Sequence, residues 1–561
     1  MSTRSRLIGS LARGQSRATL SELLKTAQAA PWDPAKAVAL GSAYLERGEY
    51  TKSLYWLRRP ISAGNTTVSL YRALAQTLLQ LDRPEAALEC YERAMALGSA
   101  GADDYRALGN ILRDRLGRPD DAVQHFLAAV RLEPDEQTHY FSLFRCLIRD
   151  RISRHAKRMA LELLGAAANR QCLDRGLALA LEDCGRYSEA DECCQEILRG
   201  SPDDPTALML LGEIRVALDD IDSATCCYEK AVRSNPADRR VHTHYLYHLC
   251  RLGEYERAQR TFRQRKFGTE FSEDLPKAVR PETDLRGRSL LLLELSGLGD
   301  TLQFVRFATD FAKSGCRVFV RCAKKLVPLV QTVKGVEKAF ARYDPAPDTE
   351  FESDLFFVYL PLDITLENAG RRVPYLDVPD SCKRRWASRL AAEDGLKVGI
   401  AWRGSLLWQD NPYTCRSMPL AELRPLADLP GITLYGLQVG KAADELTEGV
   451  EPFPALDLSR EITDLASTAG AITALDVVVT IDTSLAHLVG GLGKPVLLML
   501  PYVAELRWLL GRRDSPWYPT MTLFRQSSPG DWRGVIQRVA GALADLSRRG
   551  GPPHARCSSN T

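Results

Sequence analysis

The 561-residue sequence has no long apolar run and no surplus of charge of one sign. Without about 18 consecutive apolar residues, no membrane-spanning helix is expected. Lysine and arginine number 74 against 71 aspartates and glutamates, so the composition does not favour binding to nucleic acid or to a membrane surface. The hydrophobic content of 45% and the charged content of 26% are typical of a globular protein, here long enough for several domains.

The sequence also has no Cys-x-x-Cys, a spacing common in metal and redox sites. Its fourteen cysteines are thinly spread, and several are expected in helical, core-like positions, namely Cys193, Cys194, Cys226 and Cys227. Reduced thiols in a cytoplasmic protein are therefore expected. Residues 1–24 resemble a transit peptide in their four arginines, but they lack the apolar core of a secretory signal, so a flexible leader or first helix is predicted for 1–30.

Between residues 31 and 267 the sequence repeats with a period of 34 or 35 residues. One small residue follows each inter-helix turn, at Ser53, Ala87, Ala122, Ala156, Ala190, Ala224 and Ala258. The copy around Ala224 has Gly212 before it and Tyr228 and Pro236 after it; small residues let two helices cross closely, and proline ends the second helix. The pattern resembles the tetratricopeptide repeat (TPR).

About seven such repeats would stack into an α-solenoid over 31–267. The concave groove of a solenoid holds an extended peptide or a helix of a partner, so a protein partner is expected there. A purely architectural role, as a rigid spacer or a dimerisation element, is the alternative.

After a linker predicted for 268–288, strands alternate with helices, which indicates parallel, doubly wound sheets. The predicted strands are 290–295, 317–321, 354–359, 397–402, 433–438, 477–481 and 496–500. Prolines near 371–385 interrupt the pattern and predict two Rossmann-like lobes that face each other across a ligand cleft. The predicted divisions are an N-terminal lobe at 289–385, a C-terminal lobe at 386–530, a closing helix at 531–548 and a disordered tail at 549–561.

The first predicted strand of this half is followed by Gly297, Gly299 and Asp300. The glycines allow a tight strand-to-helix turn and the close approach of a ligand to the backbone. The third glycine of a dinucleotide-binding fingerprint is missing, so the turn alone is weak support for a nucleotide site. Asp300 would lie at the lip of the cleft, although an ordinary helix cap is the alternative role.

The strand at 477–481 is followed by Asp482, Thr483 and Ser484, which open a predicted helix. A helix N-terminus presents free backbone N–H groups and a positive dipole end, so a phosphate would be stabilised there. The simpler interpretation is that Asp482 or Thr483 is an ordinary N-cap.

Taken together, Gly297-Leu298-Gly299-Asp300 and Asp482-Thr483-Ser484-Leu485-Ala486-His487-Leu488 resemble the two signatures of the bacterial heptosyltransferase-like glycosyltransferases of the GT-B fold. The resemblance spans about residues 288–548 and does not specify the sugar. It implies that Asp300 acts as, or lies beside, the general base. The fold class expected is thus a TPR α-solenoid followed by a two-lobed GT-B half.

The resemblance also implies which residues hold the diphosphate of a nucleotide-sugar donor. Arg416 takes the place of a family lysine, which keeps the charge and adds a bidentate fork. Arg403 and Gln438 follow strands and are further candidates, although a loop-capping amide explains Gln438 equally well. The complete set of expected donor-binding residues is Arg416, Asp482, Thr483, Ser484, His487, Arg403 and Gln438.

Between Leu285 and Arg548 there is no Asp-x-Asp, so a metal-independent mechanism is expected, with no cofactor besides the nucleotide-sugar substrate. A carboxylate on one lobe and a cationic phosphate site on the other suit an inverting displacement. The function predicted is a glycosyltransferase whose solenoid recruits a protein, peptide or glycan acceptor or a partner protein. This domain order also resembles that of the O-linked N-acetylglucosamine transferases. The alternative is a TPR interaction scaffold with a non-catalytic GT-B-like domain.

Overall fold

The structure is a computed structural model of the whole chain. It describes residues 20–98, 100–148, 153–263, 279, 283–294, 297–342, 344–355, 362, 364–391, 395–404, 411–448 and 452–549. The chain divides into two compact units: the first ends at Tyr245 and takes in residues 342–345, and the second begins at Leu246. The boundary predicted at residue 267, like most of the predicted leader, linker and tail, lies outside the described residues. Among the described helices, none is long and apolar enough to cross a membrane.

The first unit is built from antiparallel helix pairs. After α1 (Leu20–Ala29) the helices are α2 (Pro34–Glu46), α3 (Tyr50–Ser62), α4 (Val68–Gln80), α5 (Pro84–Leu97), α6 (Ala102–Asp114), α7 (Pro119–Leu132), α8 (Gln137–Leu147), α9 (Ser153–Leu164), α10 (Arg170–Asp183), α11 (Tyr187–Gly200), α12 (Pro205–Ala217), α13 (Ile221–Ser234) and α14 (Arg239–Leu252), the last of which continues into the second unit.

The repeat predicted from the sequence is confirmed by the packing of these helices. All seven aligned small residues, from Ser53 to Ala258, are 0% exposed. A Cβ added at Gly212 would lie 2.8 Å from the Tyr228 ring, so only a residue without a side chain lets that ring lie on the α12 backbone. Helix starts are fixed by side-chain caps: Asp204 Oδ1 accepts hydrogen bonds from the backbone N–H groups at the start of α12, which opens with Pro205.

The second unit contains two sheets in which every described strand pair is parallel. The four-stranded sheet has the order β3-β2-β1-β4 and consists of β1 (Ser289–Leu293), β2 (Arg317–Cys322), β3 (Val336–Ala341) and β4 (Phe351–Asp354). The six-stranded sheet has the order β10-β9-β8-β5-β6-β7 and consists of β5 (Leu396–Ile400), β6 (Ile432–Gly436), β7 (Leu456–Asp457), β8 (Val477–Ile481), β9 (Val496–Leu500) and β10 (Met521–Arg525). We name the two parts of the unit the four-stranded lobe and the six-stranded lobe after these sheets.

The six-stranded order is that of a Rossmann sheet, and it reverses direction between β5 and β8. Every residue of β8 and β9 is buried, as expected for central parallel strands covered on both faces. The helices of this unit are α15 (Tyr255–Arg263), α16 (Leu298–Phe304), α17 (Ala308–Lys313), α18 (Val327–Val330), α19 (Asp380–Arg389), α20 (Arg424–Ala427), α21 (Leu465–Thr473), α22 (Ser484–Gly491) and α23 (Trp532–Arg548). The predicted fold class, an α-solenoid followed by a two-lobed α/β half of the GT-B type, is confirmed.

Most predicted strands are confirmed. The strands at 477–481 and 496–500 are β8 and β9 with the predicted bounds, and β1, β2, β5 and β6 agree with their predictions to within two residues. The strand predicted for 354–359 is wrong in its bounds, since β4 ends at Asp354, and 356–361 lie outside the described residues. The strands β3, β7 and β10 were not predicted.

Helix α15, which carries the last aligned small residue, packs inside the second unit. Its Tyr255 hydroxyl accepts a hydrogen bond from Trp517 Nε1 at 3.0 Å. The Gln259 side chain, 5% exposed, donates to the Ile364 carbonyl at 3.0 Å. The indole of Trp517 is itself buried at 2% exposure, so α15 is part of the core around it.

Candidate functional site

The two strand-to-helix turns singled out in the sequence meet at the junction of the two lobes. Helix α16, which carries Asp300, packs on α22. A Cβ added at Gly299 would lie 2.8 Å from His487 Cδ2 and 3.6 Å from Ser484 Cα, so a larger residue would force the two helices apart. The turn at 297–300 and the segment 482–487 therefore form one site.

Asp300 is the third residue of α16, and both of its carboxylate oxygens are engaged. Oδ2 accepts a hydrogen bond from the Gly297 backbone N–H at 2.9 Å, which caps the helix. Oδ1 accepts a hydrogen bond from Arg507 Nη2 at 2.7 Å. The side chain is 18% exposed, and each carboxylate oxygen has a second lone pair that can accept from a further donor.

Arg507 is a site residue that sequence reasoning missed. It lies in a short 3₁₀ helix (Leu506–Trp508), and its side chain is only 9% exposed. Its guanidinium contacts side chains from both lobes: Asp300 at 2.7 Å, Gln303 Oε1 at 2.7 Å, His487 Nε2 at 3.3 Å and Glu505 Oε2 at 2.6 Å. Although burial opposes the charge, Glu505 and Asp300 raise the pKa of Arg507 well above its usual value. A permanent positive charge therefore lies between the lobes.

His487 lies beneath the site, at 2% exposure. Its Nδ1 is 2.8 Å from the Tyr518 hydroxyl, and its ring stacks on Trp508 with centroids 5.4 Å apart. Burial, reinforced by Arg507 and two further arginines, lowers the pKa of His487 well below its usual value. The imidazole is therefore neutral at pH 7.

The opposite side of the site is formed by the N-terminus of α22 and by Arg416. Thr483 is the N-cap residue, and its side chain makes no capping hydrogen bond. A Cβ added at Gly404 would lie 3.3 Å from Arg416 Nε and 3.4 Å from Thr483 Cγ2. Gly404, Arg416 and Thr483 thus surround one point at the carboxyl ends of β5 and β8, where the strand order reverses and ligands bind in such sheets.

Gly404 is a second residue that sequence reasoning missed. Its backbone N–H donates to Ser417 Oγ at 3.0 Å, which ties the turn after β5 to the segment that carries Arg416. Its position shortly after β5, the first strand of its lobe, is a signal that could have identified it.

Asp482 is the charge partner of Arg416 within the site. Its Oδ2 lies 4.0 Å from Arg416 Nη1, and the aspartate side chain is 8% exposed. Burial raises the pKa of Asp482, while Arg416 and Arg507 oppose that shift. Asp482 therefore lies behind Arg416, whose own side chain is 35% exposed.

Arg403 and Gln438 are occupied in holding the loop after β5. Gln438 Oε1 accepts hydrogen bonds from the backbone N–H groups of Trp402, at 3.2 Å, and Arg403, at 3.0 Å. The Arg403 side chain is ion-paired with Glu445, whose other oxygen accepts the Leu420 N–H at 3.0 Å. The amide of Gln438 has the loop-capping role that was the alternative in the sequence analysis.

Family models match two parts of the helical half. The model described as Tetratricopeptide repeat matches residues 72–137, and the one described as Psidin, N-terminal TPR repeats region, matches residues 164–264. The helical hairpins are tetratricopeptide repeats. Together the matches cover much of the TPR solenoid.

Comparison with whole proteins finds one similar sequence and several solved structures with low similarity. Protein FlbA of Caulobacter vibrioides is 28% identical over 503 residues, which cover 82% of this chain and 81% of that protein. A solved glycosyl transferase family 9 structure from Veillonella parvula is 11% identical over 47% of this chain and 99% of that one, with a TM-score of 0.35. YrrB, described as a TPR protein with an unusual peptide-binding site, is 15% identical over 40% of this chain and 96% of its own, with a TM-score of 0.22.

Proposed function

We propose that the chain is a glycosyltransferase that moves a sugar from a nucleotide-diphosphate sugar to a hydroxyl acceptor, with inversion and without a metal ion. One observation carries the proposal: a carboxylate on the four-stranded lobe, Asp300, shares a site with a helix N-terminus and Arg416 on the six-stranded lobe. A hydroxyl needs a base, and a diphosphate leaving group needs positive charge. The site offers both.

In the proposed reaction Asp300 takes the proton of the acceptor hydroxyl. The hydroxyl oxygen then forms a bond to the anomeric carbon from the side opposite the diphosphate. The bond between that carbon and the diphosphate oxygen breaks, and its electron pair stays on the diphosphate. A single displacement of this kind inverts the anomeric centre, and the proton ends on Asp300.

The departing diphosphate would lie beside Gly404, next to Arg416 and Thr483. Backbone N–H groups at the start of α22 and the hydroxyls of Thr483 and Ser484 would donate to its oxygens. Arg416, held by Asp482, would meet its growing negative charge in a partly buried setting. Positive charge supplied in this way needs no divalent ion, so activity is expected to survive a chelator such as EDTA.

The TPR solenoid supports the protein-binding part of the proposal. Solenoids of this kind present extended concave surfaces to partner proteins. We therefore infer that the repeats recruit a protein or peptide acceptor, or a partner that carries the acceptor, in the cytoplasm.

Calorimetry of the full chain with a panel of nucleoside diphosphates and nucleotide sugars tests the proposal. Binding of one diphosphate by the wild-type chain, weakened in R416M, is the expected result. Asp300→Asn should then bind the same nucleotide and transfer its sugar far more slowly. If no member of the panel binds, the alternative of a TPR interaction scaffold replaces the enzyme.

A further inference from the structure

Arg507 holds the candidate base from the opposite lobe. Its backbone N–H and Nε both donate to Glu505 Oε2, at 3.1 Å and 2.6 Å, so the guanidinium is fixed before it reaches across the junction. Its two remaining nitrogens donate to Gln303 and Asp300, each at 2.7 Å. These two acceptors lie three residues apart on α16 and therefore on one face of that helix. The Arg507 guanidinium therefore binds α16 through two side chains, those of Asp300 and Gln303.

The carboxylate of Asp300 is oriented as a consequence. Gly297 N–H binds one of its oxygens and Arg507 the other, at 2.9 Å and 2.7 Å. With both oxygens bound, the carboxylate plane cannot rotate, and the lone pairs that remain point in fixed directions. A general base gains from such fixing because it must meet the acceptor hydroxyl within hydrogen-bond reach.

The tautomer of His487 follows from the same contacts. A guanidinium has only N–H donors, so the 3.3 Å contact between Arg507 Nη1 and His487 Nε2 requires a lone pair on Nε2. The ring is neutral, so its hydrogen lies on Nδ1, which donates to the Tyr518 hydroxyl at 2.8 Å. In this state His487 has no hydrogen to offer on the side that faces the site.

We propose that Arg507 is a positioning residue for Asp300, and that His487 acts through Arg507 rather than by donating to the donor diphosphate. The part that concerns Asp300 rests on the proposed function. Glu505 and His487 then hold one guanidinium, with Trp508 stacked on the His487 ring, and binding of the donor diphosphate is left to Arg416 and the start of α22. This assigns His487 a role different from the one that the heptosyltransferase resemblance implies.

The tautomer is tested without any activity. Nitrogen-15 NMR of the full chain labelled at histidine distinguishes a protonated Nδ1 from a protonated Nε2, and loss of a signal in H487Q identifies His487. We expect a neutral ring with hydrogen on Nδ1 at pH 7. Hydrogen on Nε2, or on both nitrogens, would overturn the proposal.

The positioning role is tested with R507K and R507M beside R416M as a matched control. R507K keeps the charge but loses the fork, so we expect turnover to fall on the order of 100-fold while nucleotide affinity changes less than about threefold. R416M should instead weaken nucleotide affinity about 10-fold or more. Weakening of nucleotide binding by R507K and R507M as strong as that by R416M would make Arg507 a donor ligand and sink the proposal.

Thermal unfolding shows whether each of these variants still folds. If R507M unfolds, the R507K variant still tests the positioning role of Arg507, and the NMR measurement on the wild-type chain still tests the tautomer of His487. If the wild-type chain binds no nucleotide, the proposed function fails, and a protonated Nδ1 would still establish the Arg507–His487 contact.

Discussion

Gly404 and Thr483, from the turns after two neighbouring strands, lie so close that a Cβ at residue 404 would be 3.4 Å from Thr483 Cγ2. The backbone at Gly404 does not have a positive φ, so alanine is allowed there by conformation. The absence of a side chain at residue 404 lets the turn after β5 lie close to Arg416 and Thr483, and the proposed diphosphate would lie beside these three residues.

Replacement of Gly404 by valine should therefore block the donor site. We expect nucleoside diphosphate affinity to fall by about 10-fold or more, since a branched side chain there competes with the ligand for space. Isothermal titration calorimetry measures it. Gly541→Ala is the control, because nothing lies within 4 Å of a Cβ there. Equal affinities in G404V and wild type would place the diphosphate elsewhere.

Asp300→Asn should remove the base with little change in side-chain shape. The one carbonyl oxygen of asparagine can still accept the hydrogen bond from Gly297 N–H that caps α16, whereas its NH2 group replaces the oxygen that accepts from Arg507. We expect sugar transfer to fall about 10²- to 10⁴-fold, the usual contribution of a general base. Calorimetry should show an almost unchanged nucleotide affinity. Full transfer activity in D300N would show that another group, or none, takes the proton.

Arg416→Met should weaken binding of the nucleoside diphosphate more than binding of the corresponding nucleoside. Loss of a hydrogen bond to a charged group costs about 1.5–3 kcal/mol, and only the diphosphate carries that charge. Arg403→Met is the matched control, because the Arg403 side chain is ion-paired with Glu445. A larger loss in R403M than in R416M would reverse the assignment of the two arginines.

Gly212→Val should destabilise the solenoid. Its Cβ would meet the Tyr228 ring at 2.8 to 3.0 Å, and overpacking of this kind costs about 1–3 kcal/mol. Gly200→Ala lies at the end of α11 with nothing within 4 Å of the added Cβ, so its stability should stay close to wild type. Thermal unfolding followed by circular dichroism compares the two. Equal melting temperatures would show that the hairpin relaxes around residue 212.

Stability should fall in mild acid because of His248. Burial, with Arg251 and Arg257, lowers the pKa of His248 to about 4. The unfolded chain takes up a proton on His248 near pH 6.5, and the folded chain does not. The contribution of neutral His248 to the free energy of unfolding is therefore complete above pH 6.5 and decreases as the pH falls towards 4. The expected slope in this window is about 1.4 kcal/mol per pH unit. Urea unfolding at pH 7 and pH 5 measures how much the free energy of unfolding falls between the two pH values. This fall should be smaller in His248→Gln than in wild type, and an equal fall in both would contradict the assignment to His248.

The parts of the fold that the sequence predicted are those set by local pattern. The aligned small residues from Ser53 to Ala258 are visible because every hairpin needs one at the same place. The strands β8 and β9 are continuous apolar runs, so their bounds could be predicted residue by residue. The strand β3, Val336–Ala341, carries two charged residues at its start, and β7 has only two residues, so neither shows a strand pattern.

The candidate site divides in the same way. Asp300 and Thr483 follow glycine-rich or polar turns after buried strands, which a sequence displays directly. Arg507 lies about two hundred residues from Asp300, and nothing in its neighbourhood distinguishes it from a surface arginine. Its role depends on tertiary packing that brings α16 and α22 together. Such a long-range contact leaves no local pattern in a single sequence, so Arg507 could not be predicted from it.

The hydrogen bond from Trp517 to Tyr255 has a consequence for any attempt to exchange the repeats of this protein. A chimera that joins a foreign solenoid after the last hairpin would take away the hydroxyl that the indole needs and uncover its ring. The second unit begins inside α14, so the useful junction lies upstream of that helix, and the final hairpin has to stay with the two-lobed α/β half. Helix α15 carries the last small residue of the repeat, yet it belongs to the second unit.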